Sequence, residues 1–145
     1  MIDSIGGAVV IVSDQQKAIE FYTQKLGFEL KSDIPIGGGN TEGLRWVEVA
    51  PKASQSTISL MVPNPMMMSD GVEIEAIKKS IGAETGIWFY SKDMHSTYEE
   101  LRGKGVDITA PEKQEWGGTM SKVKDQDGNT FSIISSLPQS SLNQD

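Results

Sequence analysis

Residues 7–13 read GAVVIVS, an apolar run that alternates Ala8, Val10 and Val12 with Gly7, Val9 and Ile11. A period of two is that of a β-strand. The period then lengthens: Ala18, Phe21, Tyr22 and Lys25/Leu26 fall at the three-four spacing of a helix with one core-facing stripe. Ser13 or Asp14 can cap that helix, because a side-chain oxygen there accepts from its free amides. Gly27 ends it, and the next strand is expected over residues 28–31. A loop over 33–42 contains Gly37-Gly38-Gly39, and two further strands are expected over 44–49 and 57–62, joined by a polar connection.

The same pattern returns. Gly86 opens GIWFYS, Asp93 caps a helix with Met94, Thr97, Tyr98 and Leu101 on one stripe, and Gly105 closes it. Strands are expected over 107–109, 119–124 and 130–135, the last two joined by a tight turn at Asp125-Gln126-Asp127-Gly128-Asn129. The spacing from Gly7 to Gly86 and from Asp14 to Asp93 is the same 79 residues. The chain thus reads as β-α-β-β-β twice, an α+β fold from a duplicated module. The first module covers 1–62, and the second 85–136. Between them, residues 63–84 form a linker with two prolines, Met66-Met67-Met68 and a short helix around 73–79; residues 137–145 are a polar tail. The groove between duplicated modules is a natural place for a ligand.

With 145 residues, 37% of them hydrophobic and 23% charged, the chain can bury a core as one compact domain. It has no cysteine, which removes disulfides, thiolate nucleophiles and zinc-thiolate sites. A net charge of −7 argues against nucleic acid, whose phosphates need a basic surface. It permits a cationic ligand, although acidic surfaces commonly serve solubility. No apolar run is long enough to span a bilayer, and the first residues lack the features of a signal peptide, so a cytoplasmic location is expected.

Three stretches carry a family resemblance. One is Ser13-Asp14-x3-Ala18-x2-Phe21-Tyr22 with Leu26-Gly27-Phe28; the second is its echo Asp93-x4-Tyr98-x2-Leu101-x3-Gly105. The third is Asp125-x-Asp127-Gly128-Asn129-x-Phe131. Spanning about residues 5 to 135, they resemble the vicinal oxygen chelate superfamily of glyoxalase I, extradiol dioxygenases, fosfomycin-resistance enzymes and bleomycin-resistance proteins. The resemblance implies tandem βαβββ modules curled into a U-shaped sheet around a cavity, and often a homodimer. It also implies four metal-ligand positions, which fall here at Gly7, Ser59, Gly86 and Ser132. Metal-using members place imidazole or carboxylate donors there. Glycine has no donor and a serine hydroxyl is a poor one, so no metal or other cofactor is expected.

Other carboxylates and the lone imidazole have simpler roles. His95 lies on the polar face of the second helix, Asp14 and Asp93 suit helix caps, and Asp125 and Asp127 belong to the turn. Alternation from the ligand positions puts Val9, Ile11, Thr57, Met61, Trp88, Tyr90, Thr130 and Ile134 on the cavity face, while the opposite faces are more uniformly apolar. The same logic turns Trp46, Glu48, Met120 and Lys122 inward, with Trp116 at their approach.

Glu48 is then a candidate general base or an anchor for a ligand cation, or else an edge glutamate paired with a neighbour such as Lys122. Trp46, Trp88, Tyr90 and Trp116 could wall a pocket for a flat or cationic ligand, or could fill space left by a lost metal. The methionine triplet suits either an adaptable lid or packing between modules.

These residues support a leading expectation: a protein that captures a small molecule in an aromatic-lined cavity without a metal. The alternative is a metal-free lyase, isomerase or dioxygenase, with Glu48 as base and Lys122 or Arg45 as electrostatic stabiliser. A third is an interaction module with a vestigial cavity.

Overall fold

A computed structural model describes residues 1–37, 43–67 and 73–135. The central part of the Gly37-Gly38-Gly39 loop, Met68 and the polar tail lie outside the described residues. The chain divides into two compact units, Met1–Ala83 with Asp125–Asn129, and Glu84–Lys124 with the strand from Thr130 onward.

In the first unit the chain runs β1 (Gly7–Ile11), α1 (Gln15–Glu20), a π-helical turn (Phe21–Lys25), β2 (Glu29–Pro35), β3 (Arg45–Ala50) and β4 (Thr57–Met61). A 3₁₀ turn (Pro65–Met67) and α2 (Ile74–Lys79) follow. The sheet order is β1-β4-β3-β2, with β1 parallel to β4 and the other pairs antiparallel. Asp14 caps α1 by accepting from the Lys17 amide at 2.9 Å, as its sequence position requires.

The core of this unit lies on the face that α1 covers, where Val10, Val12, Ala18, Tyr22, Val47, Val49, Ile58 and Leu60 are buried. Each fully buried aliphatic side chain contributes about 1.5–3 kcal/mol. The expected helix stripe holds at Ala18 and Tyr22 but not at Phe21 and Leu26, which are only half-buried. The π-helical turn, in which the Leu26 amide donates to the Phe21 carbonyl at 3.2 Å, advances the register there.

The turn Asp125–Asn129 is fastened within this unit. The Tyr22 phenol donates to Asp125 at 2.7 Å, and the Ser13 amide and hydroxyl both donate to Asp127. Asn129 Nδ2 donates to the Ile11 carbonyl, while its Oδ1 accepts from the Gly82 amide. Asp125 also accepts from the amides of Asp127 and Asn129, which satisfies a carboxylate that is 7% exposed.

In the second unit come β5 (Glu84–Ser91), α3 (Met94–Gly103), β6 (Glu112–Lys113), β7 (Thr119–Lys124) and β8 (Thr130–Ser135). The sheet order is β5-β8-β7-β6, repeating the first with β5 parallel to β8. Leu101, Val106, Val123, Phe131 and Ile133 form its buried core, and Phe89 stacks on Phe131 with ring centroids 4.9 Å apart. Asp93 caps α3 through the Ser96 amide at 3.0 Å.

The strand expected over 107–109 contracts to a single bridge between Ile108 and Val123, and the ladder resumes at β6. Pro111 lies between, and it has no amide to donate to a ladder.

Candidate functional site

Cross-strand pairing fixes which side chains share a face. Val9 of β1 pairs with Ser59 of β4, which pairs with Glu48 of β3, so these three form one row on the face away from α1. A pocket of ≈ 180 Å³ opens on this face. Residues 6–9 form one side, Trp46 and Glu48 the other, and Thr57 and Ser59 lie between them. One pocket thus gathers Val9, Trp46, Glu48 and Thr57 with Gly7 and Ser59, two of the four positions that the resemblance would assign to metal ligands.

Its polar groups are few. The Thr57 hydroxyl donates to Glu48 Oε1 at 2.9 Å and so holds that carboxylate in place. Among the described residues no cation pairs with Glu48. Ser59 is 5% exposed, and its hydroxyl has no hydrogen-bond partner among the described residues. A buried hydroxyl left unpaired costs about 1–3 kcal/mol.

Two expected site residues of this unit are engaged otherwise. Met61 is buried at the end of β4 with its sulfur 3.9 Å from the Gln15 amide nitrogen, and it does not line the pocket. That amide also donates to the carbonyls of Arg45 and Leu60, tying α1 to β3 and β4. The Arg45 guanidinium is gripped by Asp33 at 2.9 and 2.6 Å, so the stabiliser role considered for it would need that grip broken. Hydrogen bonding to Arg45 holds the Asp33 carboxyl below its usual range, and Asp33 in turn raises Arg45.

In the second unit, Trp88 pairs with Ser132 and Ser132 with Lys122, while Tyr90 pairs with Ile134 and Ile134 with Met120. Trp88, Tyr90 and Trp116 are 56%, 59% and 50% exposed, so this unit carries an open aromatic surface. The Lys122 ammonium donates to Ser132 Oγ at 2.9 Å and pairs with Glu84 at 3.2 Å. Glu84 escapes a strict alternation because β5 bulges between Glu84 and Trp88, with Gly86 at φ 73°. The glycine-containing Thr85-Gly86 step was the one available signal. His95 is exposed on α3.

The residues at the four positions that the resemblance would assign to metal ligands do not fit a divalent ion. A Cβ at Gly7 would run into the Thr57 carbonyl, so this backbone cannot carry a ligating side chain there. Gly86 is also without a donor, Ser59 offers a neutral hydroxyl, and Ser132 already accepts from an ammonium. Among the described residues no group of three or more His, Cys, Asp or Glu could hold a metal.

Two four-stranded sheets of repeated topology, each opening with a parallel strand pair, define a family that comparison also identifies. The family model described as Glyoxalase/Bleomycin resistance protein/Dioxygenase superfamily matches residues 3–133, and the chain belongs to this superfamily. It is 37% identical over 132 residues to the uncharacterized protein YetH of Bacillus subtilis (strain 168), covering 90% of this chain and 97% of that one. A superfamily member from Sphaerobacter thermophilus DSM 20745 is similar in structure, with a TM-score of 0.77, 32% identity and coverage of 93% and 98% of the two chains. TnmS3, an antibiotic binding protein from Streptomyces sp. CB03234, has a TM-score of 0.70 and 26% identity over 94% of this chain and 98% of its own. No described helix is long and apolar enough to cross a membrane.

Proposed function

We propose that this protein captures a small organic molecule in the pocket of its first sheet, without a metal, and does so as a homodimer. The observation that carries the reading is the Val9–Ser59–Glu48 row, where an oriented carboxylate with no cationic partner among the described residues stands beside Trp46 and the hydroxyls of Thr57 and Ser59 in a largely apolar hollow. Such pockets bind by apolar contact and use a few fixed polar groups for orientation. The name of TnmS3, an antibiotic binding protein of the same fold, supports the same class of function. Trp88, Tyr90 and Trp116 supply apolar surface that an occupant or a second copy would cover.

Titration of the protein with a panel of aromatic antibiotics and metabolites, followed by tryptophan fluorescence, tests capture. A saturable change that shrinks in Trp46→Phe is the expected result. No saturable response from any compound, by fluorescence or calorimetry, sinks the reading. Light scattering should give twice the 15.8 kDa chain mass.

A further inference from the structure

Given that capture reading, we propose that the ligand presents a primary ammonium group to Glu48, Thr57 and Ser59, with a flat apolar body against Trp46 and Val9. The argument begins with the hydrogen-bond inventory. Thr57 Oγ1 directs its single proton at Glu48, 2.9 Å away, in preference to the Gly6 carbonyl at 3.5 Å, so it has only lone pairs left for an occupant. Glu48 is an acceptor on both oxygens, and Ser59 Oγ on the same row has unused lone pairs. No lysine or arginine lines the pocket. A ligand that brings acceptors would find only the Ser59 hydroxyl able to donate; one that brings donors meets Glu48, Thr57 and Ser59 as acceptors.

A primary ammonium carries three N–H donors, and three oxygen-bearing side chains, Glu48, Thr57 and Ser59, are present to take them. Charge favours the same choice. The basic side chains on the strands of this sheet are occupied: Arg45 of β3 pairs with Asp33 at 2.6 Å and Lys31 of β2 with Glu29 at 3.0 Å. Glu48 therefore depends on an incoming cation for its counter-charge, in a chain of net charge −7 that repels anions.

The remaining wall is apolar. Val9 is 50% exposed and the Trp46 ring borders the hollow, where a cation next to an indole gains further attraction. At ≈ 180 Å³ the space suits one ring and a short amine arm rather than a large polycyclic. Ser59 distinguishes this site from a surface glutamate. Its hydroxyl is nearly sealed beneath the pocket and unpartnered, a cost that an N–H from the occupant would offset once the hydroxyl turns toward it.

Calorimetry with three probes of matched shape tests this: 2-phenylethylammonium, neutral 2-phenylethanol and anionic 3-phenylpropionate. The ammonium should bind about tenfold tighter than the alcohol, as expected for a charge-assisted hydrogen bond, and the anion should bind least. Glu48→Gln should abolish the preference for the ammonium, and Ser59→Ala should reduce ammonium affinity severalfold. If the alcohol matches the ammonium, or the preference survives in Glu48→Gln, the inference is overturned and capture stands. The same holds if the ammonium fails to bind while an uncharged compound of the fluorescence panel does. Silence from every compound overturns capture as well.

Discussion

The phenol of Tyr22 donates a 2.7 Å hydrogen bond to Asp125, a residue 103 positions further along the chain. Both groups are buried, and Asp125 has three more donors in the amides of Asp127 and Asn129 and in the Asn129 side chain. Tyr22→Phe therefore leaves the carboxylate largely satisfied, and the expected loss in urea unfolding is about 1–2 kcal/mol. Burial, followed by the Asp125 charge, raises the Tyr22 phenol well above its ordinary value of 10.0. The folded state thus keeps a proton that the unfolded chain releases above pH 10, and stability falls as pH rises past that point, by up to about 1.4 kcal/mol per pH unit. A stability profile from pH 9 to 11 should show this fall in the natural protein beyond that of Tyr22→Phe. Equal slopes would remove Tyr22 as its source.

That hydrogen bond also marks where sequence reading stops. The strands 119–124 and 130–135 and the caps Asp14 and Asp93 were legible because alternation and capping are local rules. Trp46, Glu48 and Ser59 were legible as one face for the same reason. The motif around Asp127 reads locally as a turn, but its side chains fasten to Ser13, Ile11 and Gly82, partners that no local pattern names. Glu84 was hidden by the β5 bulge, since one irregular step changes which residues share a face. Met61 has the right alternation for the cavity, but the strand end is covered by the Gln15 amide.

The Asp33–Arg45 pair gives a second pH effect, of opposite sign and smaller size. Its side chains are 28% and 33% exposed, so water screens it and the pair contributes under about 1 kcal/mol. The Asp33 carboxyl is lowered by its hydrogen bond to Arg45, so this contribution is present above the unfolded carboxyl value of 3.8 and lost as pH falls below it. Asp33→Asn should lower the urea midpoint slightly at pH 6 and leave it unchanged near pH 2. A larger loss at the lower pH contradicts the assignment.

Gly7 and Gly86 stand at repeat-related positions, yet they should respond to alanine for different reasons. At Gly7 the obstacle is space: the new methyl group meets the Thr57 carbonyl, a backbone atom that moves only with β4. Overpacking of this kind costs about 1–3 kcal/mol and would disturb the pocket beside it. At Gly86 space is free, and the obstacle is φ at 73°, which costs an L-residue about 1–2 kcal/mol. Gly7→Ala should therefore change both stability and the tryptophan response to ligand. Gly86→Ala should change stability, and Gly86→Asn should lose less, because asparagine tolerates the left-handed region. Equal tolerance of Ala and Asn at Gly86 would contradict the conformational argument.

The Lys122 ammonium donates to Ser132, so a divalent cation approaching that hydroxyl would meet a positive charge already in contact with it. On the first sheet, Gly7 cannot gain a side chain without moving Thr57, and Ser59 brings a neutral oxygen. A site with such donors should not bind zinc, nickel or cobalt strongly enough to affect folding. An ion that did bind, present at a hundred times its dissociation constant, would add about 2.7 kcal/mol and raise the melting temperature by several degrees. The expected result is a melting temperature unchanged within about 1 °C by chelator or by tenfold molar excess of each ion, well below that linkage shift. Lys122→Ala removes the charge without adding a ligand, so it should not create affinity. A several-degree rise in the natural protein, with stoichiometric metal by mass spectrometry, would show that a divalent ion uses oxygen donors this donor count disregards, and metal-free capture would fall with it.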